Sequence, residues 1–193
     1  VKFKTIIDGD FIGSVAKGGA VNYEQLTITP HGNGTHTECI GHIVSDSKAT
    51  IQNGLEHMHH VCQLMSIKPS KMGDDLVVGF ESFKKMWRSD VQPQAIIIRT
   101  LPNERSKINR KYSGTNPPYL DEKIMEFLFE NNVQHLIVDL PSVDREVDGG
   151  KLAAHRAFWG VPDQVRYGAT ITELAFIDDS IEDGTYLLNL QTL

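Results

Sequence analysis

The chain has 193 residues and a mass of 21.6 kDa, which is enough for one domain with a sizeable core. Hydrophobic residues make up 40% and charged residues 23%, which argues against a disordered chain, and a formal net charge of -6 argues against a nucleic-acid-binding protein. No apolar run approaches the roughly 20 residues of a transmembrane helix, and no signal peptide is visible after Val1, so we expect a cytoplasmic protein without a membrane partner.

Runs of alternating or continuous apolar residues predict strands along the whole chain. The predicted strands cover residues 3–7, 23–29, 61–67, 95–99, 135–139, 169–174 and 185–190. Apolar residues at helical spacing predict helices over 81–88, between the Pro117–Pro118 pair and Asn132, and over 151–159. This order predicts an α/β or α+β fold, in which residues 1–193 form a single domain with a mixed sheet flanked by helices.

The segment from His31 to His42 is dense in side chains that bind metals. It holds three histidines, one carboxylate and one thiol within twelve positions, among several glycines, and residues 32–41 are expected to form a loop or an irregular strand. His36 and Glu38 are two positions apart, so an extended backbone turns both to one side, and His42 has the same parity. Cys39 has the opposite parity, which favours a packed thiol. Spacing alone leaves a glycine-rich surface loop with incidental histidines equally open.

Two ionisable residues interrupt apolar elements further along the chain. His155 lies on the apolar face of the third predicted helix, where a core histidine is the ordinary interpretation. Glu173 lies inside an apolar strand, where a carboxylate is costly to bury unless it is paired or binds a metal. The cluster from Glu56 to His60 is interpreted as a solvated segment, because consecutive side chains diverge.

The histidine segment resembles the signature His-x-Gly-Thr-His-x-Asp-x-Pro-x-His of the metal-dependent cyclase family, the kynurenine formamidase-like hydrolases. Gly34, Thr35, His36 and His42 match this signature, and Glu38 replaces its aspartate. Gly32 stands at the position of the first histidine, and Ile40 stands at the position of the proline. The resemblance continues through residues 117–144, 152–155 and 171–174, in the family's order.

The resemblance implies a swivelling β/β/α fold and one or two divalent ions, zinc or manganese. By motif position the metal ligands would be His36, Glu38, His155 and Glu173, with Glu38 able to bridge two ions. His31 would join them if a backbone shift compensates for Gly32; otherwise the first site lacks one protein ligand. His42 would be the catalytic acid and base.

The implied reaction is hydrolysis of an amide, formamide or cyclic amide in a small-molecule substrate, by water that the metal activates. Family members are typically homodimers or homotetramers. Two alternatives stay open: a catalytically weak ligand-binding member of the fold, and a metal-dependent lyase or dehydratase. Asp139 and Asp144 are expected either to orient the ligand histidines or to cap their loop. Phe158 and Trp159 are kept as candidates for the substrate pocket.

Overall fold

The computed structural model describes residues 1–191. It contains two compact units, which divide after Gly34. In the first unit, β1 pairs antiparallel with β4, and β2 pairs antiparallel with β3. Its elements are β1 (Lys2–Thr5), β2 (Ile7–Asp8), β3 (Phe11–Ile12), a 3-10 turn (Val15–Lys17), β4 (Glu24–Thr27) and α1 (Pro30–Asn33).

The second unit, which begins at Thr35, is built on a six-stranded mixed sheet. A separate sheet of three short strands and four helices complete it. The strands are β5 (His36–Cys39), β6 (His59–Ile67), β7 (Ser70–Met72), β8 (Asp75–Val78), β9 (Ala95–Thr100), β10 (Tyr119–Leu120), β11 (His135–Val138), β12 (Thr170–Glu173) and β13 (Gly184–Asn189). The helices are α2 (Ile51–Gly54), α3 (Phe80–Met86), α4 (Glu122–Glu130) and α5 (Ala153–Trp159), with 3-10 turns at Ile40–His42 and Arg105–Asn109.

The large sheet has the strand order β13-β6-β9-β11-β12-β5, and the small one has the order β10-β8-β7. The four central strands of the large sheet are parallel, whereas β13 and β5 run antiparallel at its two edges. The carboxyl ends of the central strands therefore meet at one margin of the sheet, where side chains from separate strands can converge.

One face of the sheet packs against the helices. Apolar side chains of the central strands join the aromatic residues of α5 and the inner face of α4 in one buried cluster. In α4 the Asp121 carboxylate accepts a hydrogen bond from the Lys123 amide, which caps the helix, and Ile124 and Leu128 are fully buried. The predicted mixed sheet flanked by helices is thus confirmed, while the assignment of all 193 residues to a single domain stays a prediction.

One local expectation is made more precise and another needs correction. Residues 32–41, expected to form a loop or an irregular strand, contain the end of α1 and the four-residue strand β5. The interpretation of the cluster from Glu56 to His60 as a solvated segment is wrong for His60. This residue belongs to strand β6 of the large sheet and is only 5% exposed. Its ring centroid lies 4.0 Å from that of His135. This burial follows from strand pairing, which the run of histidines does not reveal.

Candidate metal centre

The pairing of β5 with β12 brings three of the predicted ligands to one face of the sheet. His36 lies opposite Glu173, and Glu38 lies opposite Ile171 in the antiparallel register. Opposite residues of an antiparallel pair point to the same face, and Ile171 belongs to the core on the helix side. His36 and Glu38 therefore share the buried, helix-side face with Glu173, and the Nε2 atom of His36 lies 3.5 Å from a carboxylate oxygen of Glu173.

Helix α5 adds the fourth residue from above the sheet. His155 Nε2 lies 2.9 Å from Glu38 Oε1 and 3.8 Å from Glu173 Oε1. The helix is held against the sheet by Trp159, whose indole N–H donates to the Ala169 carbonyl at 3.0 Å. The His155 and Trp159 rings are 5.4 Å apart. Residues separated by more than a hundred positions thus converge on Glu38.

His42 lies in the same cluster, but it is placed there by a turn and not by the alternation of side chains along an extended strand. Strand β5 ends at Cys39, and the 3-10 turn that follows carries His42 back, so that its Nδ1 lies 3.6 Å from Glu38 Oε2. A Cβ atom on Gly41 would lie 2.2 Å from the Ala49 carbonyl oxygen, so this close turn requires glycine. The His42 side chain is about one third exposed. It is therefore the member of the cluster that solvent can reach.

The other candidate residues from the sequence analysis are Cys39, Phe158, Trp159 and His31. Cys39 is buried on the other face of β5, with its thiol near the Ala49 carbonyl, as its parity predicts. Phe158 and Trp159 are fully buried in the core, so the structure assigns them to packing rather than to an open pocket. His31 lies in α1 of the first unit. Its role as a ligand stays a prediction.

The loop between β11 and α5 orients two of the converging side chains. The Val143 amide donates to Glu173 Oε1 at 3.0 Å, and Asp144 accepts from the Ala154 amide at 2.8 Å. Asp144 Oδ2 also lies 2.5 Å from Nδ1 of His155. The two roles that the sequence left open for Asp144, loop capping and orientation of a histidine, are therefore filled by one carboxylate.

Asp139, the first residue of this loop, does something else. Its carboxylate accepts hydrogen bonds from the Thr100 amide and hydroxyl and pairs with the buried Lys107 ammonium at 2.7 Å. It thereby joins β11 to β9 and to the 3-10 turn that contains Lys107. The orienting role therefore belongs to Asp144, and the sequence signal for it is only the spacing of Asp144 from His155.

Three buried carboxylates around one imidazole dominate the electrostatics. Burial alone lowers the pKa of His155, but its hydrogen bonds with Asp144 and Glu38 and the negative charges of Glu38 and Glu173 raise it to about 10. The charged ring donates one N–H to Asp144 and the other to Glu38, and a metal ion bound at Nε2 would replace the second of these protons. Burial raises the pKa of Glu173, and the charge of Glu38 adds to that effect. Positive charge between these carboxylates is thus what the site requires.

The donor set fits a divalent metal ion. Glu38, His42 and His155 each offer a ligand atom, and these atoms lie within 4.8 Å of one another. Imidazole nitrogen and carboxylate oxygen are the donors that zinc and manganese accept. A dication bound by these donors would supply the positive charge that the buried carboxylates require.

Within residues 1–191, no helix is both long and apolar enough to cross a membrane.

Comparison with known proteins gives matches over most of the chain. The family model described as "Putative cyclase" matches residues 4–145. The kynurenine formamidase of Bacillus cytotoxicus is 26% identical over 170 residues, which cover 88% of this chain and 72% of that protein.

Solved structures give the same fold. A predicted metal-dependent hydrolase from Bacillus stearothermophilus aligns with a TM-score of 0.59 and 15% identity, over 96% of this chain and 75% of that one. Isatin hydrolase A from Labrenzia aggregata aligns with a TM-score of 0.60 and 14% identity, over 94% of this chain and 72% of that one.

Proposed function

The chain belongs to the cyclase family, and from that premise we propose that it is a metal-dependent hydrolase of amide, formamide or cyclic amide bonds. The observation that carries the proposal is the buried convergence of Glu38, His155 and Glu173, with His42 at its solvent-accessible side. The 26% identity to a kynurenine formamidase supports a substrate with a C–N bond outside a peptide. Zinc and manganese are the proposed metals.

The residues that would hold the metal are Glu38, His155 and Glu173, together with His36. His42, which also offers an atom within 4.8 Å of those of Glu38 and His155, is assigned to proton transfer instead. When bound in such a site, a divalent ion polarises a carbonyl oxygen and lowers the pKa of water from 15.7 to about 7. Asp144 fixes the His155 ring through Nδ1, which directs Nε2 at the site. The Val143 amide holds one oxygen of Glu173 in the same way. The surrounding protein thus sets the direction of each donor before a substrate arrives.

His42 is the proposed proton carrier. Its ring lies beside Glu38 and is partly exposed, so a substrate can approach it while the neighbouring carboxylate limits its orientation. An imidazole ring can both accept and donate a proton, which suits a group that takes a proton from water and returns it to a leaving amine. In a hydrolysis the water oxygen bonds to the carbonyl carbon, the proton accepted by His42 passes to the departing nitrogen as the C–N bond breaks, and the products are an amine and a carboxylic acid, which releases its proton to solvent.

Metal analysis combined with a substrate screen tests the proposal. The purified chain is loaded with zinc or manganese and assayed against N-formylkynurenine, isatin and simple aryl formamides, with product identification by mass spectrometry. We expect stoichiometric metal and products that have gained one water. Stoichiometric metal without turnover would favour a ligand-binding protein, and a product that has lost water would favour a lyase or dehydratase; either result contradicts the proposal.

A further inference from the structure

The face of the large sheet that is turned away from the helices carries an apolar cavity of about 490 Å³. Its floor consists of side chains from three strands, namely Cys62, Leu64, Ile97 and Leu188. Mostly apolar cavities of roughly 300–1,000 Å³ are the usual binding sites of small molecules. Side chains alternate between the two faces of a sheet, and His36, Glu38 and Glu173 occupy the helix-side face. The cavity is therefore separate from the candidate metal centre.

Two segments outside the large sheet form the walls of the cavity. One is the segment 176–181, which follows β12 and contributes Phe176 and Ile181. The other is the 3-10 turn Arg105–Asn109, which contributes Ile108. Ile108 is 52% exposed and Ile181 is 43% exposed, so apolar surface beside the cavity is in contact with solvent. A ligand with an apolar body would remove this surface from water, which favours binding.

A buried arginine fixes the wall formed by residues 176–181. The guanidinium of Arg99 donates to the carbonyl of Asp178 at 2.9 Å and to that of Ile181 at 2.8 Å. Arg99 is only 6% exposed. The side-chain amide of Asn103 also donates to the Ile177 carbonyl, at 2.9 Å. Because these bonds hold the wall in place before a ligand arrives, less conformational entropy is lost when one binds.

Two side chains of opposite charge line this otherwise apolar cavity. They are Arg105 and Asp178, and both are exposed. Hydrogen bonds with Ser180 lower the pKa of Asp178, and the charges of Arg105 and Arg99 add to this effect, so Asp178 is ionised at neutral pH. Among residues 1–191, Arg105 forms no ion pair within 4.0 Å. Its guanidinium is therefore available to a ligand.

The two charges together select the class of ligand. A guanidinium binds a carboxylate through two parallel hydrogen bonds, and a carboxylate accepts hydrogen bonds from an ammonium group. A simple carboxylic acid would also place its negative charge near Asp178, and a simple amine would place its positive charge near Arg105. An α-amino acid carries both charges on one carbon atom, and its side chain can occupy the apolar interior. This is the complementary ligand.

We propose that the cavity binds a free α-amino acid with an aromatic or large aliphatic side chain. The carboxylate of the amino acid pairs with Arg105, its ammonium group pairs with Asp178, and its side chain lies against Ile97 on the floor of the cavity. The site contains no residue of the candidate metal centre, so it stands or falls independently of the hydrolase function proposed above.

Isothermal titration calorimetry of the whole chain tests this binding, with L-phenylalanine and L-leucine as probes. Three matched compounds each lack one recognised feature: 3-phenylpropionate lacks the ammonium group, 2-phenylethylamine lacks the carboxylate, and L-alanine lacks the large side chain. We expect saturable binding of the probes at one site per chain, and roughly 10-fold weaker binding of each matched compound than of L-phenylalanine. Absence of binding by both probes, or equal binding of a matched compound, overturns the proposal.

A chelator distinguishes this site from the candidate metal centre. An amino acid can also bind to a metal ion through its amine and carboxylate. The titrations are therefore repeated with a chelator, and the affinity for L-phenylalanine should be unchanged. Binding that disappears with the metal would place the amino acid at the metal centre and contradict the proposal.

Two variants test the assigned charges. Arg105→Gln and Asp178→Asn should each weaken L-phenylalanine binding roughly 10-fold, because each removes one charge-assisted hydrogen bond. Both positions are exposed, and asparagine can still accept the hydrogen bond from the Ser180 amide, so the fold should be kept. Arg110→Gln is the control, since Arg110 pairs with Glu104 and does not line the cavity. Unchanged affinity in either test variant, or an equal loss in the control, contradicts the assignment.

Nuclear magnetic resonance of labelled isoleucine methyl groups locates the ligand. Ile97 and Ile108 line the cavity, whereas Ile124 and Ile171 are fully buried on the helix side. L-phenylalanine should shift the signals of the first pair and leave the second pair unchanged. Shifts confined to the second pair would overturn the proposal. So would signals of the first pair that respond to protein concentration but not to the amino acid, because a second copy of the chain would then fill the cavity.

Discussion

Asp144 and His155 are joined twice through one carboxylate oxygen. Oδ2 of Asp144 lies 2.5 Å from the ring Nδ1 of His155 and 3.2 Å from its backbone nitrogen. The first contact sets the direction of the ring, and the second fixes the first turn of α5, which carries that ring. Orientation of the side chain and position of the helix therefore depend on the same group.

We expect Asp144→Asn to weaken metal binding by about 10- to 100-fold, the effect typical of a partner that orients a ligand histidine. The amide keeps the shape of the side chain but loses the charge that holds Nδ1–H of His155. Competition with a chromophoric chelator measures the affinity. Asp148→Asn is the control, because Asp148 binds the Gly150 and Leu152 amides of the same loop without touching His155. Equal losses in both variants would reduce Asp144 to a structural role in the loop.

Removal of the metal should lower thermal stability. A ligand present at 100 times its dissociation constant stabilises the folded state by about 2.7 kcal/mol. In a domain of this size that corresponds to a melting temperature about 5–10 °C higher. Differential scanning calorimetry with and without a chelator measures the change. The double variant His36→Ala, Glu38→Ala should lose both the metal and the chelator response; a full metal complement in that variant would remove both residues from the ligand set.

His42→Ala separates proton transfer from metal binding. General acid–base groups contribute typically 10²–10⁴-fold in rate, so the variant should lose turnover by about that factor. Because the His42 side chain is partly exposed at the edge of the cluster, the metal content and the fold should be retained. Elemental analysis alongside the rate assay decides the matter. Loss of metal in proportion to activity would make His42 a ligand instead.

The adjacent rings of His60 and His135, at the amino ends of β6 and β11, predict a folding stability that depends on pH. Burial, together with the neighbouring His60 and Arg166, lowers the pKa of His135 to about 3. Its unfolded value is about 6.5. Below pH 6.5 the unfolded chain binds a proton that the folded chain refuses, so stability falls as the pH falls, by about 2 kcal/mol at pH 5. Above pH 6.5 this group has no effect.

Urea unfolding at pH 7 and pH 5, in the presence of a chelator, measures this loss in the wild-type chain and in His135→Gln. Glutamine can still contact the Thr170 hydroxyl that lies 2.8 Å from His135 Nδ1, and it does not titrate. The variant should lack the additional loss at acid pH. His59→Gln removes an exposed imidazole from the same region and serves as the control. An equal pH dependence in wild type and His135→Gln would show that His135 does not titrate differently on folding.

The elements that could be predicted from sequence are those whose pattern is local. The apolar face of α4 and the continuous apolar run of β9 can be recognised from neighbouring residues of the sequence, and the structure contains both elements. The spacing of His36 and Glu38 also indicates their common face. By contrast, the sequence does not predict β7 and β8, because strands of three and four residues are too short to show a periodicity.

The assembly of the candidate site could not be derived from local pattern. Nothing in residues 36–39 indicates that their neighbour is β12, since backbone hydrogen bonds are the same for every strand. The resemblance to the cyclase family supplied His155 and Glu173, and the structure brings both near Glu38. It did not supply the contact of the Val143 amide with Glu173, because a backbone donor leaves no mark on the sequence.

The pairing of β5 with β12 has a consequence for biosynthesis. His36 and Glu173 lie opposite each other although 137 positions of sequence separate them. A ribosome delivers the chain from its amino end, at about 5–20 residues per second, so β5 waits roughly 7–27 seconds for its neighbour. During that interval the short strand lacks its partner, and for most of it the strand also lacks α5, which precedes β12 in the chain. The metal centre can therefore assemble only after β12 has emerged, and nascent chains halted before β12 should not retain the ion.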